Sequence, residues 1–481
     1  MAGAVEGYEV KMRAVALALR GLPFVLGMAA LASCSSQGER QAPGLTRVTL
    51  FEGARLIAGD DNPPIEDSAF IVDNDRFTMV GRKGDVPVPA GAARVDLTGK
   101  TVMPAMVDVH SHLGFLDMAD ATMSKDHFTR ENLTDHLERY AYHGFAAVCS
   151  FGTDMGDLPF QMRDETIPNA ALYRTVGRGL AYPGSGPGDP SRNDVPYAVT
   201  TEEEARAAVR DLAPRKPDFV KIWVDDRNGT KQKLTPPLFR AAADEARKLG
   251  FRSVAHVFDL ADAKELVKAG VEGFTHMVRD QLVDDEFMAL LKERPNVWFT
   301  PNLGGMNREL RPGGGKPRWA DEPILYETIP PDVIKRRLDV LARTPAGAGG
   351  NAARAWDLQN TSTLKAAGVR LVLGSDAAGD SNRWIGLTAH MELENFVAAG
   401  FTPAEAIVAA TRTAADVLRL DQLGTVATGK SADFIVLDAN PLDNIANTRR
   451  INTVYLRGQE VDRPALRARW QAQWRRTAAT E

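Results

Sequence analysis

Apolar and polar positions fall into two textures along the chain. From Val48 to Thr101, short β-prone runs are broken by turn chemistry. Phe70-Ile71-Val72 and Phe77-Thr78-Met79-Val80-Gly81 flank Asp73-Asn74-Asp75-Arg76, which predicts a hairpin, and Ala93–Leu97 leads through Thr98-Gly99-Lys100 to Thr101–Pro104. The same texture returns at Asp433–Leu437 and Thr453–Gly458. The two ends together predict one small β-sandwich, with parts at residues 46–103 and 421–462. Between them, over residues 104–420, apolar β-branched runs alternate with helical segments, the pattern of βα units and a parallel sheet. Eight runs stand out: Met106–Val109, Ala146–Cys149, Leu172–Val176, Phe219–Val224, Ser253–Val257, Gly273–His276, Val297–Thr300 and Val369–Gly374. That number in a segment of this length predicts a (β/α)8 TIM barrel, so the fold class is α/β. A doubly wound sheet is the runner-up, but no Gly-rich phosphate turn follows the first run.

Both termini depart from this pattern. Arg13 and Arg20 precede an uncharged, mostly apolar stretch from Gly21 to Ser33, too short to span a bilayer and typical of a secretory signal. It ends Leu31-Ala32-Ser33-Cys34, which resembles the lipobox of a bacterial lipoprotein, with Cys34 as the lipidated residue. Residues 1–33 then form the signal, from Met1 or Met12, and 34–45 a polar tether. The resemblance implies a cell-envelope protein, lipid-anchored at the outer membrane and facing the periplasm; a soluble periplasmic protein is the alternative. At the other end, residues 463–481 form a helical tail whose Trp470 and Trp474 favour docking on the main body over lying on a membrane.

Composition narrows the chemistry. The chain has 481 residues, 44% apolar and 25% charged, which fits a soluble globular protein of two or three domains. Its 58 basic and 63 acidic side chains leave no positive excess for a nucleic-acid partner. Two cysteines exclude both a disulfide framework and a Cys-based zinc site, and Cys149 reads as a small apolar residue in a buried strand.

The histidines carry the signal. His110 and His112 follow the first run, His256 lies in the fifth, His276 ends the sixth and Asp376 follows the eighth in Gly374-Ser375-Asp376. Barrel enzymes build their sites at the C-terminal ends of the strands, and alternation puts His110 and His112 on one side. Four imidazoles and a carboxylate suit Zn²⁺ or another divalent ion. Lys221, in the fourth run, carries only donors as an ammonium and cannot ligate a cation unless CO₂ converts it to a carbamate. His127, His136, His143 and His390 lie in helical or loop stretches away from this set. Arg178, Arg279 and Trp223 sit near strand ends and are candidate substrate contacts. Tyr182–Pro190 and Asn302–Asp321, rich in Gly and Pro, are candidate lids.

The chain resembles the amidohydrolase superfamily, nearest its imidazolonepropionase-like and Xaa-Pro-dipeptidase-like branch. The resemblance rests on Gly99–His112, Phe219-Val220-Lys221-Ile222, Val254-Ala255-His256, Gly273–His276, Leu373–Ala377 and Gly424–Leu442, in the family's order. Ala105, where the family usually has Gly, and Met277, where many members have a smaller residue, depart from the pattern. The resemblance implies that His110, His112 and Asp376 hold one ion and His256 and His276 a second, with carbamylated Lys221 bridging the pair. It further implies hydrolysis of amide or peptide C–N bonds in small substrates such as dipeptides or N-acyl amino acids, by a metal-bridging hydroxide, with Asp376 as base and then acid. A one-metal deaminase, cyclic-amide hydrolase or lactonase is the alternative, since Asp259 stands three residues after His256. A non-enzymatic lipoprotein is disfavoured by the intact ligand set. The partners expected are a small molecule or short peptide, the membrane only through the lipid, and possible further copies of the chain.

Overall fold

A computed structural model describes residues 48–304, 317–343, 351–381 and 383–478. The predicted signal, Cys34 and the whole tether lie outside the described residues, as does the centre of the 302–321 segment. No helix among the described residues is long and apolar enough to cross a membrane.

The N-terminal texture forms Thr49–Leu56 (β1), Ile65–Asp73 (β2), Arg76–Arg82 (β3), Ala93–Asp96 (β4) and Thr101–Pro104 (β5). β2 and β3 make the expected antiparallel hairpin. Its tight connection works because Asn74 takes φ 55°, a left-handed conformation that asparagine tolerates.

The middle of the chain supplies short parallel strands: Met106–Ser111 (β6), Phe145–Ser150 (β7), Leu172–Thr175 (β8), Leu180–Ala181 (β9), Tyr197–Ala198 (β10), Val220–Val224 (β11), Ser253–Val257 (β12), Gly273–Thr275 (β13), Trp298–Thr300 (β14) and Arg370–Leu371 (β15). They lie in two sheets, ordered β6-β7-β8 and β10-β9-β11-β12-β13-β14-β15. Every pairing in both is parallel, and the core strands are buried along their length, which is why they read as continuous apolar runs. Register aligns Trp223 with His256, His256 with Thr275, and Thr275 with Thr300. Backbone bonds also run between the sheets, from Val109 N to Leu373 O (3.1 Å), Asp376 N to His110 O (2.7 Å) and Asp218 N to Thr175 O (3.1 Å).

Three runs end earlier than the sequence pattern suggests, the eighth already at Leu371. The sixth stops at Thr275 because His276 has φ 71°, which no strand residue adopts. The third breaks after Thr175, turns through Gly177 at φ 65°, and resumes as β9. Helices fill the connections. Glu202–Leu212 begins with a full capping box between Thr201 and Glu204, the structural form of its acidic first turn.

The C-terminal texture forms Phe434–Leu437 (β16), Ile451–Leu456 (β17) and Gln459–Glu460 (β18), which join the N-terminal strands in the order β18-β17-β16-β5-β1-β2-β3, with β4 on β1. Both chain ends thus share one sheet. The tail helix Arg463–Ala478 docks on the body through buried Trp470, whose Nε1 donates to Asp135 (2.6 Å) and whose ring packs on Tyr142.

Candidate metal centre

β6 carries His110, and His112 lies just beyond it. Asp376, three residues past Leu373, meets them: His112 Nε2 is 3.1 Å and His110 Nε2 3.7 Å from Asp376 Oδ1. All three donor atoms lie within 4.8 Å of one another, and all three residues are buried. Two ligands held at about 2.1 Å around a tetrahedral zinc would stand about 3.4 Å apart, so the spacing fits a divalent ion.

The backbone around these side chains is specialised. Asp376, His276, Asn302 and Ala378 all have φ between 50° and 71°, costly for residues other than glycine. The conformation of Asp376 is held by its own N–H on His110 O, and that of His276 by its N–H on Thr300 O (2.8 Å). Gly379 leaves room for the carboxylate, since a Cβ there would fall 2.8 Å from Asp376 Oδ1.

Asn302 and Asp108 position His110. The Asn302 Oδ1 accepts from His276 N (3.1 Å) and Thr300 Oγ1 (3.1 Å), and lies 3.0 Å from His110 Nδ1. An oxygen that already accepts requires Nδ1 of His110 to be its protonated nitrogen, which leaves the Nε2 lone pair toward Asp376. Below it, Asp108 accepts from His110 N (3.2 Å), Ser375 N (3.0 Å) and Tyr140 Oη (2.8 Å), and burial pushes its carboxyl up to about 6. Burial also holds His110, His112 and His276 well below the ordinary imidazole range, so they are neutral, the form that coordinates a cation.

The other three predicted ligands are arranged differently. His256 and His276 pack edge to face with centroids 4.6 Å apart, and His276 also meets His110 at 5.4 Å. His256 Nε2, however, lies 3.1 Å from Asp225 Oδ2, and burial lowers its imidazole to about 4. Lys221 is fully buried and donates from Nζ to Thr275 Oγ1 (2.6 Å). It does not pair with Asp225, which takes Arg227 at 3.2 Å instead. His256 and His276 complete no second group of three His, Cys or acidic donors among the described residues.

Among the candidate substrate contacts, Arg279 lies over the Phe258 ring, which in turn packs on His256 and His276. Trp223 is buried beside Lys221. Arg178 is turned away, its guanidinium over Tyr197 and its Nε on Val195 O (2.7 Å). Two arginines with no marking pattern around them in the chain stand close by: Arg383 pairs with Asp376, and Arg192 reaches the Gly379 carbonyl. Asp108 was within reach of sequence reasoning, since it precedes His110 by the same two-residue step that links His110 to His112. Asn302 had only its place two residues after a predicted strand.

The amidohydrolase family profile matches residues 101–461, three quarters of the chain. The chain belongs to the amidohydrolase family. It is 24% identical to ochratoxinase from Aspergillus niger over 440 residues, 83% of each chain. It is 31% identical to the 5-methylthioadenosine/S-adenosylhomocysteine deaminase of Halalkalibacterium halodurans over 426 residues, 81% of this chain and 85% of the relative. Its fold matches the crystal structure of a Xaa-Pro dipeptidase with methionine in the active site, with a TM-score of 0.66 and 22% identity over 86% of this chain and 99% of that one. This amidohydrolase is therefore a hydrolase acting on C–N bonds, with His110, His112 and Asp376 as its candidate metal group.

Proposed function

We propose that this amidohydrolase cleaves the amide or peptide bond of small substrates such as dipeptides or N-acyl amino acids, at a zinc pair held by His110, His112, Asp376, His256, His276 and carbamylated Lys221. The observation that carries the reading is the convergence of His110, His112 and Asp376 at ligand spacing. Burial keeps the Lys221 amine from protonating, and the uncharged amine is the form that adds CO₂. Bound ions would acidify a water and polarise the scissile carbonyl. Asp376 then takes the proton of the attacking water and passes it to the departing nitrogen, while Arg383 on its second oxygen fixes the carboxylate's orientation. Asn302 and Asp108 keep His110 in one tautomer and one position throughout.

A one-metal deaminase is the second reading, favoured by the 31% identity to a deaminase. A metal count on purified protein, run beside a screen of dipeptides, N-acyl amino acids, lactones and deaminase substrates, separates the two. About two ions per chain with amide cleavage supports the first reading, and one ion with ammonia release supports the second. Lys221→Ala should lose one of two ions; retention of both would remove the bridge. Turnover undiminished after complete metal removal would overturn both.

The proposed architecture is a closed (β/α)8 barrel beside a small β-sandwich. Closure is supported by the hydrogen bonds between β6 and the segment after β15, and by the one from Asp218 N to Thr175 O. In the other sheet, Phe70 on β2 meets Phe434 on β16 at 5.2 Å, although β5 and β1 lie between those strands, so the sheet must curl over its aromatic core. We also propose that Cys34 is lipidated and holds the enzyme at the outer membrane. Radiolabelled fatty acid incorporated into the parent but not into Cys34→Ser would support this, and equal labelling would refute it.

A further inference from the structure

Arg192 lies in the segment between β9 and β10, a segment whose Ser185, Gly186 and Pro187 are buried. The arginine itself is only 3% exposed. Its Nη2 donates to the carbonyl of Gly379, whose own N–H bonds Asp376 O (3.1 Å). The Gly379 Cα also stands against the Asp376 carboxylate. One short peptide segment therefore separates this guanidinium from the metal group, and its charge is felt at His112.

What the guanidinium lacks is a hydrogen-bonded carboxylate: the charges of Asp189 and Asp380 reach it, but neither side chain bonds it. Its Nε and Nη1 are buried and have no hydrogen-bond partner, and no carboxylate among the described residues forms an ion pair with it. The other arginines nearby are engaged: Arg383 with Asp376 and Asp380, and Arg227 with Asp225 and Gly186 O. Burying a guanidinium with two donor nitrogens unmet is expensive, and buried polar groups are almost always satisfied. Nη1, with the second hydrogen of Nη2, presents the end-on edge that a planar carboxylate meets with two parallel bonds.

We propose that Arg192 binds the carboxylate of the substrate and so restricts this enzyme to amides that carry a free carboxylate near the scissile bond. The inference rests on the amide-hydrolase reading and adds to it the recognition group and the substrate feature it reads. Recognition from the Asp376 side of the site places that carboxylate on the part of the substrate next to the departing nitrogen, as in the C-terminal residue of a dipeptide or the amino acid of an N-acyl amino acid. Arg192 is a binding residue in this account, so its removal acts mainly on KM.

The test compares dipeptides and N-acyl amino acids with their C-terminal carboxamides, using the metal-loaded parent, Arg192→Gln and Arg192→Lys. The parent should prefer the free acids, and Arg192→Gln should lose about 10²-fold in kcat/KM on them, mostly through KM, with little change on the carboxamides. Arg192→Lys should recover part of the loss. Equal use of acids and carboxamides by the parent, or an equal loss on both sets in Arg192→Gln, overturns the proposal. A second arm does not depend on turnover. Calorimetry with 3-phenylpropionate and 3-phenylpropanol, on metal-loaded and metal-stripped protein, should give at least tenfold tighter binding of the acid in both states, and none of that preference in Arg192→Gln. A preference that survives in Arg192→Gln or disappears with the metal, or no binding of the acid, refutes Arg192 as the anion site. Absence of turnover on every amide with the acid preference intact counts against the hydrolase reading alone.

Discussion

The two sides of the site are built to different degrees. Around His110, His112 and Asp376 the polypeptide is committed: left-handed backbone at Asp376, a bracket from Asn302, and Asp108 beneath His110. Around His256, His276 and Lys221 the side chains are gathered but occupied, His256 by Asp225 and Lys221 by Thr275. The contrast teaches that neighbours one layer out decide whether a ligand set is poised. The first side has its unshared lone pairs aimed at one point, whereas the second must exchange partners or be chemically modified before it can hold an ion.

The sharpest way to break this comparison is to disable the carboxylate that completes the first metal group. Asp376→Asn should lower kcat by about 10³–10⁴-fold, as expected for loss of a proton-transfer group, while far-UV CD stays that of the parent. Steady-state kinetics with a metal count would check it. Near-parental kcat in a metal-replete variant would remove Asp376 from the chemistry.

A smaller effect concerns the chain leading away from His112. His136 is buried, accepts from Gly114 N (3.2 Å) at Nδ1, and sits 2.8 Å from the Leu116 carbonyl at Nε2, which fixes a neutral ring. Burial lowers it from 6.5 to about 4, so below 6.5 the unfolded chain binds a proton that the native state refuses. Its contribution is complete above 6.5 and is lost as pH falls toward 4, by at most ~3 kcal/mol. Urea unfolding at pH 7 and pH 4.5 should show that loss in the parent and a smaller one in His136→Asn. Equal pH dependence in both would mean that this histidine does not support the assembled side.

The bracket on His110 comes next. Asn302→Ala removes the acceptor that sets the His110 tautomer and should weaken metal binding about 10–100-fold, read by competition with a chelator. An unchanged affinity would mean that Asp108 and the strand alone position the ring.

How much of this was legible follows from distance along the chain. His110 and His112 are two residues apart on one strand, so alternation alone aligns them, and apolar β-branched runs such as Val220–Val224 announced the parallel strands. The hairpin of β2 and β3 was readable because Asn74 sits where the turn needs it. Asn302 and Arg192 were not readable. Each becomes functional only when topology carries it to a residue about 190 positions away, Asn302 to His110 and Arg192 to Gly379, and a single Asn or Arg has no periodicity to mark it. The occupied state of His256 was hidden for the same reason, since Asp225 belongs to the end of the neighbouring strand.

The smallest effect is expected where the less committed side is released. Asp225 is buried, which alone would raise its carboxyl, but the His256 bond and the Arg227 charge outweigh this and leave it at about 2. It is therefore a carboxylate at every working pH, competing with any ion for His256 Nε2. Asp225→Asn weakens that competition without removing the hydrogen bond's geometry, and should alter kcat/KM by less than about tenfold. Metal affinity at the His256 side should rise or stay level, while the first ion is unaffected. Titration of the stripped variant with zinc would resolve the two steps. If Asp225→Asn instead costs as much as Asn302→Ala and lowers the affinity of the second step, then Asp225 acts on His256 as Asn302 acts on His110. The two sides would then be built on the same plan, the second seen with its imidazole turned toward its support.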